Sequence, residues 1–201
     1  MLLRLAIETA QHHQTADDDR LAAMDAKSLD EYRAFLAAVY GFEIRVEQAL
    51  ARIVELDTAL LRERLKTGRL REDLSALGLS PTQINQLPTA GNFSFTSAPQ
   101  ALGWMFVLER QSLLSGLLHR ELLHSLGEGV RSATRYLTVY GDRPAAKYRE
   151  LGELLGKFAQ RYTPGSIISA AHDAFRAQRQ WYLTAITTAP APRRTAISIP
   201  V

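Results

Sequence analysis

The sequence contains no cysteine. That absence excludes a disulfide scaffold, a thiolate zinc site, a cysteine-ligated iron–sulfur cluster and a cysteine nucleophile. A bound metal would have to use histidine, carboxylate or tyrosine. Histidine is scarce too, with five residues at positions 12, 13, 119, 124 and 172. No run of about 18 apolar residues occurs, so no membrane-spanning helix is expected. The opening Met1-Leu2-Leu3-Arg4-Leu5 leads directly into polar residues, without a long apolar stretch and small-residue cleavage site. Together these features predict a soluble, cytoplasmic chain. The net charge of +3 is too small a bias to argue for nucleic acid, although arginine heavily outnumbers lysine, which suits an anionic ligand. Gly-rich phosphate loops, Ser–His–Asp signatures and zinc-ligand spacings are all missing.

What is present is ordinary globular material. At 201 residues, 46% apolar and 22% charged, the chain is neither disordered nor fibrous. It has the length of one domain with at most an appendage. The periodicity is helical almost throughout. Leu2, Leu5, Thr9 and either His12 or His13 recur at three- and four-residue steps. Ser28, with Glu31 three residues on, predicts the N-cap of a second helix, whose stripe runs from Tyr32 through Leu36, Val39, Tyr40, Val46 and Leu50 to Ile53 and beyond. Gly68 is expected to end that run or a short successor, Gly78 the next piece, and Ser80-Pro81 to open another. Residues 88–99 read as a loop whose Phe93 and Phe95 tuck under neighbouring helices. One long apolar helix is expected from Pro99 to Leu126, then helices over 130–140, 144–161 and 164–188, with a loosely packed tail over 189–201. The expectation is an all-α, irregular multi-helix bundle over residues 1–188.

Three sets of residues could carry chemistry. Adjacent His12 and His13 point about 100° apart on a helix, so at most one faces inward, where a neutral imidazole can ligate a metal. Ser112, Ser115 and Gly116 form a small-residue stripe that lets a flat ligand or another backbone approach closely. Glu121 and His124, at i and i+3, could join Glu43 and Glu47 in a di-iron site, although a second Glu-x-x-His copy is missing.

The ordered set of motifs resembles the haem oxygenases, particularly the shorter bacterial type. Leu5, Thr9, His13 and Asp17 match that family's opening Leu-x-x-x-Thr-x-x-x-His-x-x-x-Glu/Asp, which singles out His13. A tyrosine-rich helix with Tyr32, Tyr40 and Val46-Glu47 follows. The stretch from Leu102-Gly103 through Phe106-Val107-Leu108-Glu109 to Ser112 and Ser115 resembles the family's distal helix. Tyr140-Gly141, Tyr148-Arg149 and the closing Ala171, Phe175 and Trp181 complete the order, over roughly residues 3–185. The chain departs where the family's distal helix bends over haem at glycines. Those positions hold Arg110, Gln111, Leu114 and Ser115, with Gly116 one place late.

The resemblance implies a bundle of the haem oxygenase type that cleaves haem to biliverdin, CO and Fe²⁺, with O₂ and electrons from an external reductase or ferredoxin. It implies His13 as the iron ligand and Phe106 in the haem pocket. Arg4, Lys147 and Arg149 would pair with propionates, and Ser112, Ser115 and Gly116 would form the distal catalytic surface. A phytochrome-type bilin acceptor would be a possible recipient of the product. The alternatives are a non-catalytic haem- or bilin-binding or regulatory protein of the same fold, a non-haem di-iron oxidase, and a silent interaction domain.

Overall fold

The computed structural model describes residues 1–187, with side chains through Ala185, and the expected tail over 189–201 lies outside the described residues. Every regular element among the described residues is helical. The helices are α1 (Leu2–Glu8), α2 (Ala10–Leu21), α3 (Leu29–Leu50), α4 (Thr58–Arg62), α5 (Thr67–Ala76), α6 (Pro81–Asn85), α7 (Ala98–Gln111), α8 (Ser115–Leu126), α9 (Glu128–Arg131), α10 (Pro144–Ala159) and α11 (Pro164–Thr187). Short 3₁₀ turns follow α2, at Ala22–Asp25, and α7, at Ser112–Leu114. No described helix is long and apolar enough to cross a membrane.

Local chemistry explains most boundaries. Ser28 caps α3 by accepting from the Glu31 amide, as expected, while Glu31 turns back to the Lys27 amide. Ser80, Pro81 and Gln83 form a complete capping box on α6. Gly78, Gly127 and Gly141 adopt positive φ where helices or turns end. Phe93 and Phe95 do tuck inward, 4.4 and 5.3 Å from Trp104 between ring centres.

Four expectations are corrected. The first helix breaks at Thr9, whose hydroxyl donates to the Leu5 carbonyl, a back-bond that loosens the helical turn. The stripe of α3 ends at Leu50, and Gly68 lies inside α5 rather than ending a helix. The apolar helix expected over 99–126 is interrupted by the 3₁₀ turn at Ser112–Leu114. The helix expected over 130–140 does not extend past Arg131, the end of the short α9, because Asp73 draws in the amides of Arg135 and Tyr136 and turns the chain there.

The most extensive helix contact is α7 on α11. It is close because Gly103 faces α11: a Cβ there would lie 2.5 Å from the Ile167 carbonyl oxygen and 2.7 Å from the Ala171 nitrogen. Two apolar cores result. One joins α1, α7, α10 and α11 with the second half of α3. The other joins the first half of α3 with α5, α8 and residues 130–137. A seam of buried charges accompanies them.

Candidate functional site

The break at Thr9 sets the geometry of His13. The Thr9 hydroxyl spends its one proton on the Leu5 carbonyl, 2.7 Å away. It also lies 3.0 Å from His13 Nε2, so that ring nitrogen is already held in a hydrogen bond with Thr9. His13 is half-buried, and its ring lies 5.7 Å from that of Phe175. Burial, and after it the Arg110 guanidinium, hold its pKa below the usual imidazole value, against the opposing pull of Asp17.

Arg110, at the end of α7, crosses to Asp17, one turn past His13. Its Nη1 and Nη2 donate to Asp17 Oδ1 and Oδ2 at 2.6 and 2.8 Å, a two-pronged ion pair joining α7 to α2. Behind it the interior is filled. Phe106 is fully buried, with ring centres of Tyr148 and Phe175 at 6.1 and 6.4 Å. Burial pushes the Tyr148 phenol up to about 12.

Ser112, Ser115 and Gly116 are brought together, with Tyr140 and Gly141, around a void of about 10 Å³. That is room for at most about one water. Ser112 is already engaged, its hydroxyl accepting from Lys66 Nζ at 3.1 Å. The residues expected to hold propionates do not converge. Arg4 pairs with Glu8 on the surface, Lys147 with Glu63 and Glu150, and Arg149 is exposed. Haem does not fit the residues as placed. His13 Nε2 is tied to Thr9, Arg110 is locked onto Asp17, and the void beside the small-residue stripe is too small for a macrocycle, since pockets for such ligands run to hundreds of Å³.

The di-iron set is also dispersed. Among the described residues no group of three or more histidine or acidic side chains could hold a metal. Glu43 accepts from the Tyr136 hydroxyl. Glu47 accepts from the Lys66 and Thr67 amides and the Thr67 hydroxyl. His124 is exposed on α8.

Sequence reasoning missed the buried charged seam. Glu109 receives Arg64 at 2.8 Å, Lys66 at 3.0 Å and the Tyr140 hydroxyl at 2.8 Å. Lys66 also donates to the Leu108 carbonyl. Arg20, fully buried, lies 4.9 Å from the ring centre of Tyr136 and 5.3 Å from that of Phe35. The available signal was one carboxylate, Glu109, directly after the apolar run Met105-Phe106-Val107-Leu108, which calls for buried cations.

Within the seam, burial and then the neighbouring Glu43 push the Glu47 carboxyl up to about 7, despite three donors that favour its charge. A carboxyl whose pKa rises on folding stabilises the fold below its ordinary value and loses that contribution as pH climbs through the raised one. Moving from about 4.5 to about 7 therefore removes on the order of 3 kcal/mol from the wild type. Glu47→Gln mimics the neutral acid. Urea unfolding at pH 5 and pH 8 is expected to show less than half the wild-type loss. An unchanged pH slope would show that Glu47 is ionised and comfortable at both values.

Comparison with protein-family models finds no match, and comparison with curated proteins finds none either.

Proposed function

We propose that this chain is a haem-oxygenase-like protein without turnover, a binding or regulatory protein built on that bundle. The observation that carries this reading is the Arg110–Asp17 pair. In the family the chain resembles, backbone at that point lies flat over the porphyrin. Here a guanidinium stands across the slot and is fixed at two oxygens. Gln111 supports the same reading, because it is buried with neither side-chain polar atom partnered, a polar group in place of a flat glycine backbone.

The alternative is haem turnover with O₂ and an external reductant, and one feature favours it. A 3₁₀ turn at Ser112–Leu114 interrupts the α7–α8 run where the family's distal helix bends. The two readings separate in one assay. The full chain is incubated with hemin, ascorbate and O₂, and biliverdin is followed by its absorption. No biliverdin above the hemin-only control is expected. Stoichiometric biliverdin that disappears in His13→Ala would overturn the non-catalytic reading and establish turnover.

A further inference from the structure

The face of α2 next to His13 borders a different space. A cavity of about 340 Å³ opens between α2 and α11, lined by His12, Thr15 and Asp19 on one side and Arg176, Gln178 and Arg179 on the other. His13 is not part of its lining. We propose that this cleft binds a small organic oxyanion, a carboxylate or phosphate carried on a metabolite-sized body.

The donors are in place. The lining carries two guanidinium groups, each paired with one aspartate. Arg179 is held by Asp19, and Arg176 by Asp173 at 2.5 Å. Each of these bonds uses one nitrogen of a group with five N–H donors, so the arginines are oriented while most of their donors stay available. Gln178 is the second observation. It is 2% exposed, and its Nε2 has no hydrogen-bond partner. A buried amide left unpaired is costly, and a ligand oxygen would satisfy it.

The wall of the cleft is preorganised. His12 Nε2 and His172 Nδ1 lie 2.9 Å apart, and the His12 ring stacks on Phe175 at 5.3 Å and 17°. Burial, then His172 and Arg176, lower the His12 pKa, which is consistent with a donor-rich environment. The volume leaves room for a body beyond the oxyanion. The volume is worth about ten waters at about 30 Å³ each, near the lower end of small-molecule pockets. Thr15 and the His12 edge would then contact the body of the ligand, while the arginines and Gln178 hold its oxyanion.

The test uses the full chain and two probes, citrate for the carboxylate source and inorganic phosphate for the phosphate source. Ring signals of His12 and His172 are followed by NMR during each titration. Saturable shifts with half-saturation at or below about 1 mM are expected for at least one probe. Arg176→Gln and Arg179→Gln are each expected to weaken that binding about tenfold or more, and the exposed Arg131→Gln to leave it unchanged. Both arginines lie at the surface, so their variants keep the fold even if Gln178→Leu does not. Shifts that never saturate, or that survive both arginine substitutions, would overturn the proposal. Hemin plays no part in this test, so its outcome is independent of the haem reading.

Discussion

Alanine at position 109 is expected to cost about 3–5 kcal/mol of stability, the range for removing one partner of a buried ion pair. Glu109 is 2% exposed and compensates two cations at once, Arg64 and Lys66, whose side chains are 4% and 3% exposed. Neither cation can reach water without opening the bundle. Arg64 retains the Lys147 carbonyl and a long 3.9 Å approach to the half-exposed Glu150, and Lys66 the Leu108 carbonyl and Ser112 hydroxyl, but these offset only part of the lost charge. Tyr140 loses its acceptor as well. Burial and then the Glu109 charge hold its phenol far above the ordinary value, so it stays a neutral donor at any accessible pH. Urea denaturation checks the loss. The triple variant Glu109→Leu, Arg64→Met, Lys66→Met should recover most of it, because the cost lies in uncompensated charge rather than in shape. A loss below about 1 kcal/mol, the scale of exposed pairs, would mean that the seam is hydrated.

Gly103→Val is expected to be at least as damaging. The added Cβ meets backbone of α11 at the Ile167 carbonyl and the Ala171 nitrogen, together with the Ala170 methyl. Flexible side chains can turn away from such a contact, but backbone atoms cannot. Overpacking usually costs about 1–3 kcal/mol, and forcing two main chains apart belongs above that range. Because α7 on α11 is the largest contact in the fold, the variant should lose its cooperative thermal transition or unfold far below wild type. Gly68→Ala is the matching control. Nothing lies within 4 Å of its Cβ position in α5. It should gain about 0.4–1 kcal/mol by restricting the unfolded chain. A Gly103→Val protein with wild-type melting would mean that the two helices stand further apart than described.

Much of this was legible in the sequence, and the misses share a cause. Caps and stops at Ser28, Ser80-Pro81 and Gly78 match the sequence reading, because these residues act through their own backbone or side chain, whereas Gly68 stands inside α5. The breaks at Thr9 and at Ser112–Leu114 were not legible, because neither carries proline or glycine. Thr9 loosens its turn with a single hydroxyl bond, and the 3₁₀ turn sits where α7 must satisfy both α11 and α2. The missing remainder of the helix expected over 130–140 reflects a contact from Asp73, more than sixty residues away, which no local pattern encodes. The candidate site followed the same division. Periodicity left His12 and His13 open, and only the family resemblance singled out His13 and marked Arg110 and Leu114 as departures. Nothing local showed that Arg110 would find Asp17, that Lys66 would occupy Ser112, or that His12 would meet His172 at the edge of a second cavity.

The most direct measurement is the absorption spectrum of the full chain titrated with hemin. With Nε2 of His13 tied to Thr9 and Arg110 braced on Asp17, the titration should give no saturable one-to-one Soret band, and His13→Ala should leave it unchanged. A saturable band at one hemin per chain that vanishes in His13→Ala would contradict the closed slot and return the chain to the haem-binding proteins.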